Sequence, residues 1–174
     1  EGVKLESSEI AEGVVYDADG ITITAFEVDH GGEQLDAFGY RIDYDGRSAV
    51  LSGDTTLNEN LIAYSQNADL LVHEVTHGMG DGMERANLER IRRNHTIPED
   101  AGIVFSRTRP KMAAYTHILL FGDATSDDLI PATRPTYDGP LVVGEDLMQF
   151  DIGAGVTVTE TPKVPPPAGG RPAF

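Results

Sequence analysis

Two short apolar runs, DLLVHEV at 69–75 and KMAAYTHIL at 111–119, constrain the fold of this chain more than any other feature. Each is continuous rather than alternating, the pattern of a strand buried on both faces of a sheet. The segments between them, MERANLERIRRN and IPEDAGIVFSRTR (97–109), read as helices. The second has Thr96 in position to cap it, Pro98 in its first turn, and the acids Glu99 and Asp100 at its N-terminus. Upstream, ITITAFEVDH (21–30) alternates as a strand ending at His30. The stretch 37–53 reads as two strands joined by Asp45-Gly46, a hairpin signal because Gly accepts a positive φ. TLNENLIAYSQN (56–67) places Leu57, Leu61, Ile62 and Tyr64 at near-helical spacing. Downstream, TSDDLIPATR (125–134) predicts a short helix limited by Pro131, and residues 140–160 predict late strands around a Gly-rich turn. Strands that first pair locally and then alternate with helices define an α/β layered domain.

The composition fits one soluble domain: 174 residues, 40% hydrophobic and 24% charged. No Cys is present, so disulfides and thiolate metal sites are excluded. No run approaches the roughly 18 apolar residues of a membrane span, so no membrane partner is expected. The first residues do not begin a signal peptide, and with no initiator Met the native N-terminus is expected upstream. The net charge of −16 is uneven: −11 over residues 1–60, zero over 61–117 and −5 over 118–174. Such a surface repels phosphate backbones unless a local basic patch intervenes. The one candidate, ERIRRNH at 89–95, reads as a solvated helix face.

Three of the four clear apolar strands end in a potential ligand: His30, Asp54 and His117. The fourth carries His73-Glu74 near its end. Imidazole and carboxylate without thiolate suit a hydrolytic Zn²⁺, Mn²⁺ or Fe²⁺ site. Asp54 alone has three readings: a cap on the 56–67 helix, a phosphoryl acceptor, or a metal ligand. The phosphoryl-acceptor reading lacks a second acid two residues along, where the residue is Thr56. His73 and His77 would pair as ligands on a helix, but their segment reads as strand.

In order, FEVDHGGEQLDAFGYRI, VLSGDTTLNENLI, ADLLVHEV, NHTIPEDAGIVFSRTRPKMAAYTHI and YDGPLVVGEDLMQF resemble the C-terminal half of metallo-β-lactamase-fold hydrolases, in the branch around ribonuclease Z. The resemblance spans about residues 20–160. It implies half of an αββα sandwich, a mixed β-sheet with helices on one face, over residues 1–160, followed by a Pro/Gly-rich tail at 161–174. It implies that His30 is a ligand of a first metal, that Asp54 bridges two metals, and that His117 is a ligand of the second. Glu74 and His95 match the pair that moves a proton to the leaving group, which makes Asp54, Glu74 and His95 the expected catalytic residues. The cofactors implied are two divalent ions, most simply Zn²⁺, with Mn²⁺ or Fe²⁺ as alternatives. Two such ions polarise the scissile group and lower the pKa of a shared water.

The family's His-x-His-x-Asp-His motif does not occur in this sequence. The chain is therefore expected to be a fragment, or to have a partner that supplies the N-terminal half, and to be inactive alone. Only DYDGRSAVLS lies between Ile42 and Gly53, where short ribonuclease Z proteins insert a tRNA-grasping arm. Their Ser-Ser-Arg-Tyr pattern after the last histidine is replaced by ILLFG, and Val75 stands where the branch has Ala. Together with the acidic surface, these departures favour a small-molecule or ester-type substrate, with an ester, lactone, β-lactam or phosphodiester bond, over nucleic acid. Ribonuclease Z proper and a non-catalytic, partner-binding half-domain remain as alternatives, and a homodimer is possible.

Overall fold

The computed structural model describes residues 7–32, 36–80 and 82–159. Seven strands form one sheet in the order of the chain: β1 (Gly13–Ala18), β2 (Ile21–Val28), β3 (Ala37–Tyr44), β4 (Arg47–Leu51), β5 (Leu70–His77), β6 (Met112–Leu120) and β7 (Leu141–Val143). The pairs from β1 to β4 are antiparallel and those from β4 to β7 are parallel. Helices α1 (Glu59–Tyr64), α2 (Arg85–Asn94), α3 (Pro98–Thr108) and α4 (Leu129–Thr133) lie in the connections, α4 entered through a 3₁₀ turn at Ser126–Asp128. A separate hairpin, β8 (Gln149–Ile152) with β9 (Val156–Thr159), follows. The mixed sheet expected from the sequence is therefore present, and the proposed tail at 161–174 lies outside the described residues. No helix among the described residues is long and apolar enough to cross a membrane.

Strand register sorts the side chains into two faces. The row Thr24, Arg41, Val50, Leu71, Ala113 and Leu141 faces the helices. There the core closes around Phe105, which meets Tyr115 and Tyr137 at ring-centroid distances of 5.7 and 5.3 Å. Phe26 stacks on Tyr64 of α1 at 4.8 Å. The adjacent row, Ala25, Tyr40, Leu51, Val72, Ala114 and Val142, faces away from the helices. On this second face Leu51 is 40% and Tyr44 53% exposed, a largely apolar surface of the kind that packs against another layer.

Local chemistry corrected two expectations from the sequence and added a strand. Helix α1 begins at Glu59 rather than near residue 56, because the Asn58 side chain accepts the Asn60 and Leu61 N–H groups and caps it. Thr96 does not cap α3: Ile97 holds that position without a side-chain bond, and the Thr96 hydroxyl donates to the Thr55 carbonyl instead. Strand β1 has no clear alternation in the sequence, since all its residues after Gly13 are exposed on an edge. It is pinned by the Glu12 carboxylate, which accepts from the Glu27 N–H and the Asn60 amide.

Candidate metal and proton-transfer site

Five polar side chains from five segments meet at the C-terminal ends of β2, β4, β5 and β6. His30 follows β2, Asp54 follows β4, Glu74 lies within β5, His95 ends α2, and His117 lies within β6. Each arrives by a local device that can be read from its neighbours.

Asp54 is aimed by Gly53, whose φ is +63°. A Cβ there would also strike the Phe38 carbonyl oxygen, so the position needs Gly twice over. The turn is tied to β5: the Ser52 N–H donates to the Val72 carbonyl at 3.0 Å, and the Glu74 N–H donates to the Ser52 hydroxyl at 3.0 Å. Asn58, not Asp54, caps α1, which removes the capping reading of Asp54. His117 is a bulged residue with φ +41°, falling in the register shift opposite Glu74 and Val75. The bulge turns its ring towards Asp54, with Nε2 3.4 Å from Oδ2.

His30 is oriented from α2. With its proton on Nδ1, it donates to the Asn94 carbonyl at 2.8 Å, which leaves Nε2 with a lone pair. Its ring lies edge-on to His95, centroids 5.0 Å apart, and His95 in turn stacks on His117 at 5.6 Å.

Glu74 is almost fully buried, at 1% exposure. Its Oε1 accepts the Thr55 N–H at 3.2 Å and the Thr96 N–H at 3.0 Å, and lies 3.3 Å from His95 Nδ1. Its Oε2 is buried with no hydrogen-bond partner among the described residues. Burial pushes the Glu74 carboxyl up to about 8; the two N–H bonds pull it down, and the Asp54 charge adds to the rise. Burial first, and then the neighbouring imidazole of His30, hold His95 below the usual histidine range, against the pull of Asp54.

The donor set fits a divalent cation of the Zn²⁺, Mn²⁺ or Fe²⁺ type. Ligand atoms of His30, Asp54 and His95 lie within 4.8 Å of one another, and so do those of Glu74, His95 and His117. The fit rests on the His30 lone pair and on the buried Glu74 Oε2, which has no hydrogen-bond partner among the described residues. His95, expected as a proton carrier alone, also lies within ligand reach. His73 does not join the site. It points to the helix face, fully buried, with Nδ1 donating to the Glu74 carbonyl and its ring edge-on to Phe105 at 5.7 Å. Burial there pushes its imidazole down to about 4. Sequence reasoning missed Thr55, Asn94 and Thr96, which act mostly through backbone groups and leave no residue-type signal.

The sheet gathers three histidines and two acidic side chains towards one end, a donor set of the kind that can hold a divalent metal. Residues 1–118 match the family described as the beta-lactamase superfamily domain, and the chain belongs to that family. The family brings with it a divalent metal site. The chain is 36% identical to ribonuclease Z of Haloarcula marismortui over 104 residues, 60% of this chain and 32% of that protein. It is 28% identical to ribonuclease Z of a Mycobacterium species (strain KMS) over 158 residues, 88% of this chain and 54% of that protein. The chain thus spans about half the length, or less, of these curated relatives. Among solved structures it is similar to the metallo-beta-lactamase fold protein YhfI of Bacillus subtilis, with TM-score 0.61, 22% identity, and coverage of 75% of this chain and 49% of that one. It is also similar to the short form of human tRNase Z, with TM-score 0.52, 18% identity, and coverage of 86% and 46%. These likenesses establish the metallo-β-lactamase fold.

Proposed function

We propose that this chain supplies one half of a dinuclear metal-dependent phosphodiesterase whose substrate is RNA. The observation that carries the reading is the convergence of His30, Asp54, Glu74, His95 and His117 at one end of the sheet. In this reading His30, Asp54 and His117 would hold two divalent ions, with Asp54 offering a carboxylate to the pair. The bound ions supply Lewis acidity and an activated water. The chain's own residues do the rest. Asn94 fixes the His30 tautomer, Ser52 and Gly53 hold Asp54, and Glu74 with His95 delivers a proton to the leaving oxygen. Zn²⁺ is the simplest occupant of such a ligand set. The remaining ligands belong to an N-terminal half, in the same polypeptide or in a partner.

The sequence expectation of a small-molecule substrate in preference to nucleic acid is not carried forward. The curated relatives named above are ribonuclease Z, and they weigh towards an RNA phosphodiester. A second reading, a small ester or lactone substrate, keeps one observation in its favour. The β3–β4 connection is only Asp45-Gly46, so no arm for grasping tRNA extends there. The deciding experiment offers the full-length protein a 3′-extended precursor tRNA and a panel of small esters and lactones, each with and without chelator. The RNA reading expects chelator-sensitive endonucleolytic cleavage of the tRNA. Turnover of esters alone would overturn it in favour of the second reading.

A further inference from the structure

We propose that the arginines of α2, centred on Arg90 and Arg93, form the phosphate-contacting surface along which an RNA strand reaches the site. The inference rests on the reading of the substrate as RNA and adds where the strand lies.

The charge distribution is the first argument. The chain carries a net −16, yet four of its 13 basic residues, Arg85, Arg90, Arg92 and Arg93, fall within the ten residues of α2. All four are exposed. Arg85 bonds Glu89 at 2.8 Å on the same helix, and the field of Arg92 reaches Asp100. Arg90 and Arg93 sit three apart and so are neighbours on the helix surface, on the side away from the buried Ile91.

Position is the second. Helix α2 ends at His95, and the Asn94 carbonyl of its last turn holds His30. The C-terminal end of the helix is therefore physically joined to the candidate site. The positive charge of Arg90 is felt at His95. A phosphate held by Arg90 and Arg93 would lie along the helix that ends at His95.

The two clefts that border His30 and His117 are acidic. The cleft of about 460 Å³ beside His30 is lined by Glu27, Asp29 and Asp36. The cleft of about 370 Å³ beside His117 is lined by Glu145 and Asp146. Both repel a polyanion, which leaves α2 as the basic approach among the described residues. Arginine suits this work because its planar fork binds phosphate in two bonds. The competing account is that Arg92 and Arg93 merely complement the helix dipole, which is an intramolecular effect and has no bearing on RNA affinity.

The test uses the full-length protein, a 3′-extended precursor tRNA transcript, and bis(p-nitrophenyl) phosphate as a small diester. The double variant Arg90→Glu with Arg93→Glu is expected to raise KM for the transcript about tenfold or more. The slope of log KM against log salt should fall by about 1–2, at roughly 0.7–0.9 per phosphate contact. The loss on the transcript should exceed the loss on the small diester by about tenfold. Arg90→Lys with Arg93→Lys should retain most of the salt slope. Arg47→Glu, on the β3–β4 turn, should leave the slope as in the wild type. Arg90→Gln alone gives the same reading if the double variant does not fold. Equal losses on both substrates, or an unchanged slope for an RNA-cleaving protein, would overturn the assignment of α2 alone. A wild-type protein that turns over the small diester but neither binds nor cleaves the transcript would overturn the RNA reading as well.

Discussion

His95 Nδ1 lies 3.3 Å from Glu74 Oε1, and that same buried oxygen accepts the backbone N–H groups of Thr55 and Thr96. One carboxylate oxygen thus ties together the loop after β4, the segment between α2 and α3, and an imidazole at the site. Because the oxygen's position is fixed by two main-chain donors, His95 is presented at a defined place without a side-chain clamp of its own.

Replacing Glu74 with Gln keeps the shape and the acceptor for Thr55 and Thr96 but removes the ability to pass a proton. In the full-length protein the expected result is a fall in kcat of about 10²–10⁴-fold with little change in KM, the range for losing a general acid or base. Steady-state kinetics on the cleaved substrate, with a melting curve to verify folding, provides the check. A kcat within a factor of about two of wild type would remove Glu74 from the proton path.

Gly53 sits at φ +63° with the Phe38 carbonyl where a side chain would begin. Gly53→Ala is expected to destabilise the protein by about 1–3 kcal/mol, from positive-φ strain and overpacking together. It should also displace Asp54, so the bound-metal content should fall alongside the urea midpoint. Wild-type stability and metal content in this variant would show that the turn is not what aims Asp54.

Asp69 lies outside the site and reports on pH. It is 5% exposed, its Oδ2 accepts the Ser48 N–H at 2.7 Å, and Lys111 Nζ lies 2.5 Å from Oδ1. Burial alone raises its carboxyl, but the Lys111 and Ser48 bonds outweigh that effect and hold it below the usual carboxylate range. A depressed folded-state pKa adds stability that is present above the unfolded value of about 3.9 and is lost as pH falls through the folded value. Asp69→Asn should therefore cost about 1–3 kcal/mol near pH 7, with the difference from wild type shrinking below about pH 4. Urea unfolding across this pH range measures it, and a constant difference would contradict the ionic account.

Much of this arrangement was legible in the sequence. The Asp45-Gly46 turn joins β3 and β4 as its residue types require, with φ of +49° and +70°. The apolar runs at 69–75 and 111–119 became the adjacent parallel strands β5 and β6, because continuous apolarity reports burial on both faces. His30 and Asp54 were visible as polar residues just past strand ends, whereas β6 runs on to Leu120 and presents His117 from a bulge within it; all three converge on the same side of the sheet. Strand β1 was not legible, since an exposed edge strand has no face to pattern. The bulge that turns His117 was not legible either: it arises from pairing with β5, a relation between residues about forty apart. The same holds for Thr55 and Thr96, whose contribution to Glu74 is an N–H that every residue but proline carries.

The most direct test of the central claim is the metal content of the full-length protein purified without chelator, compared with its Asp54→Ala variant. The account expects stoichiometric divalent transition metal, on the order of two ions per site for a dinuclear centre, and a loss of at least half of it in the variant while the fold is retained. A wild-type protein that holds no such metal, or an Asp54→Ala variant that holds as much as wild type, would contradict it.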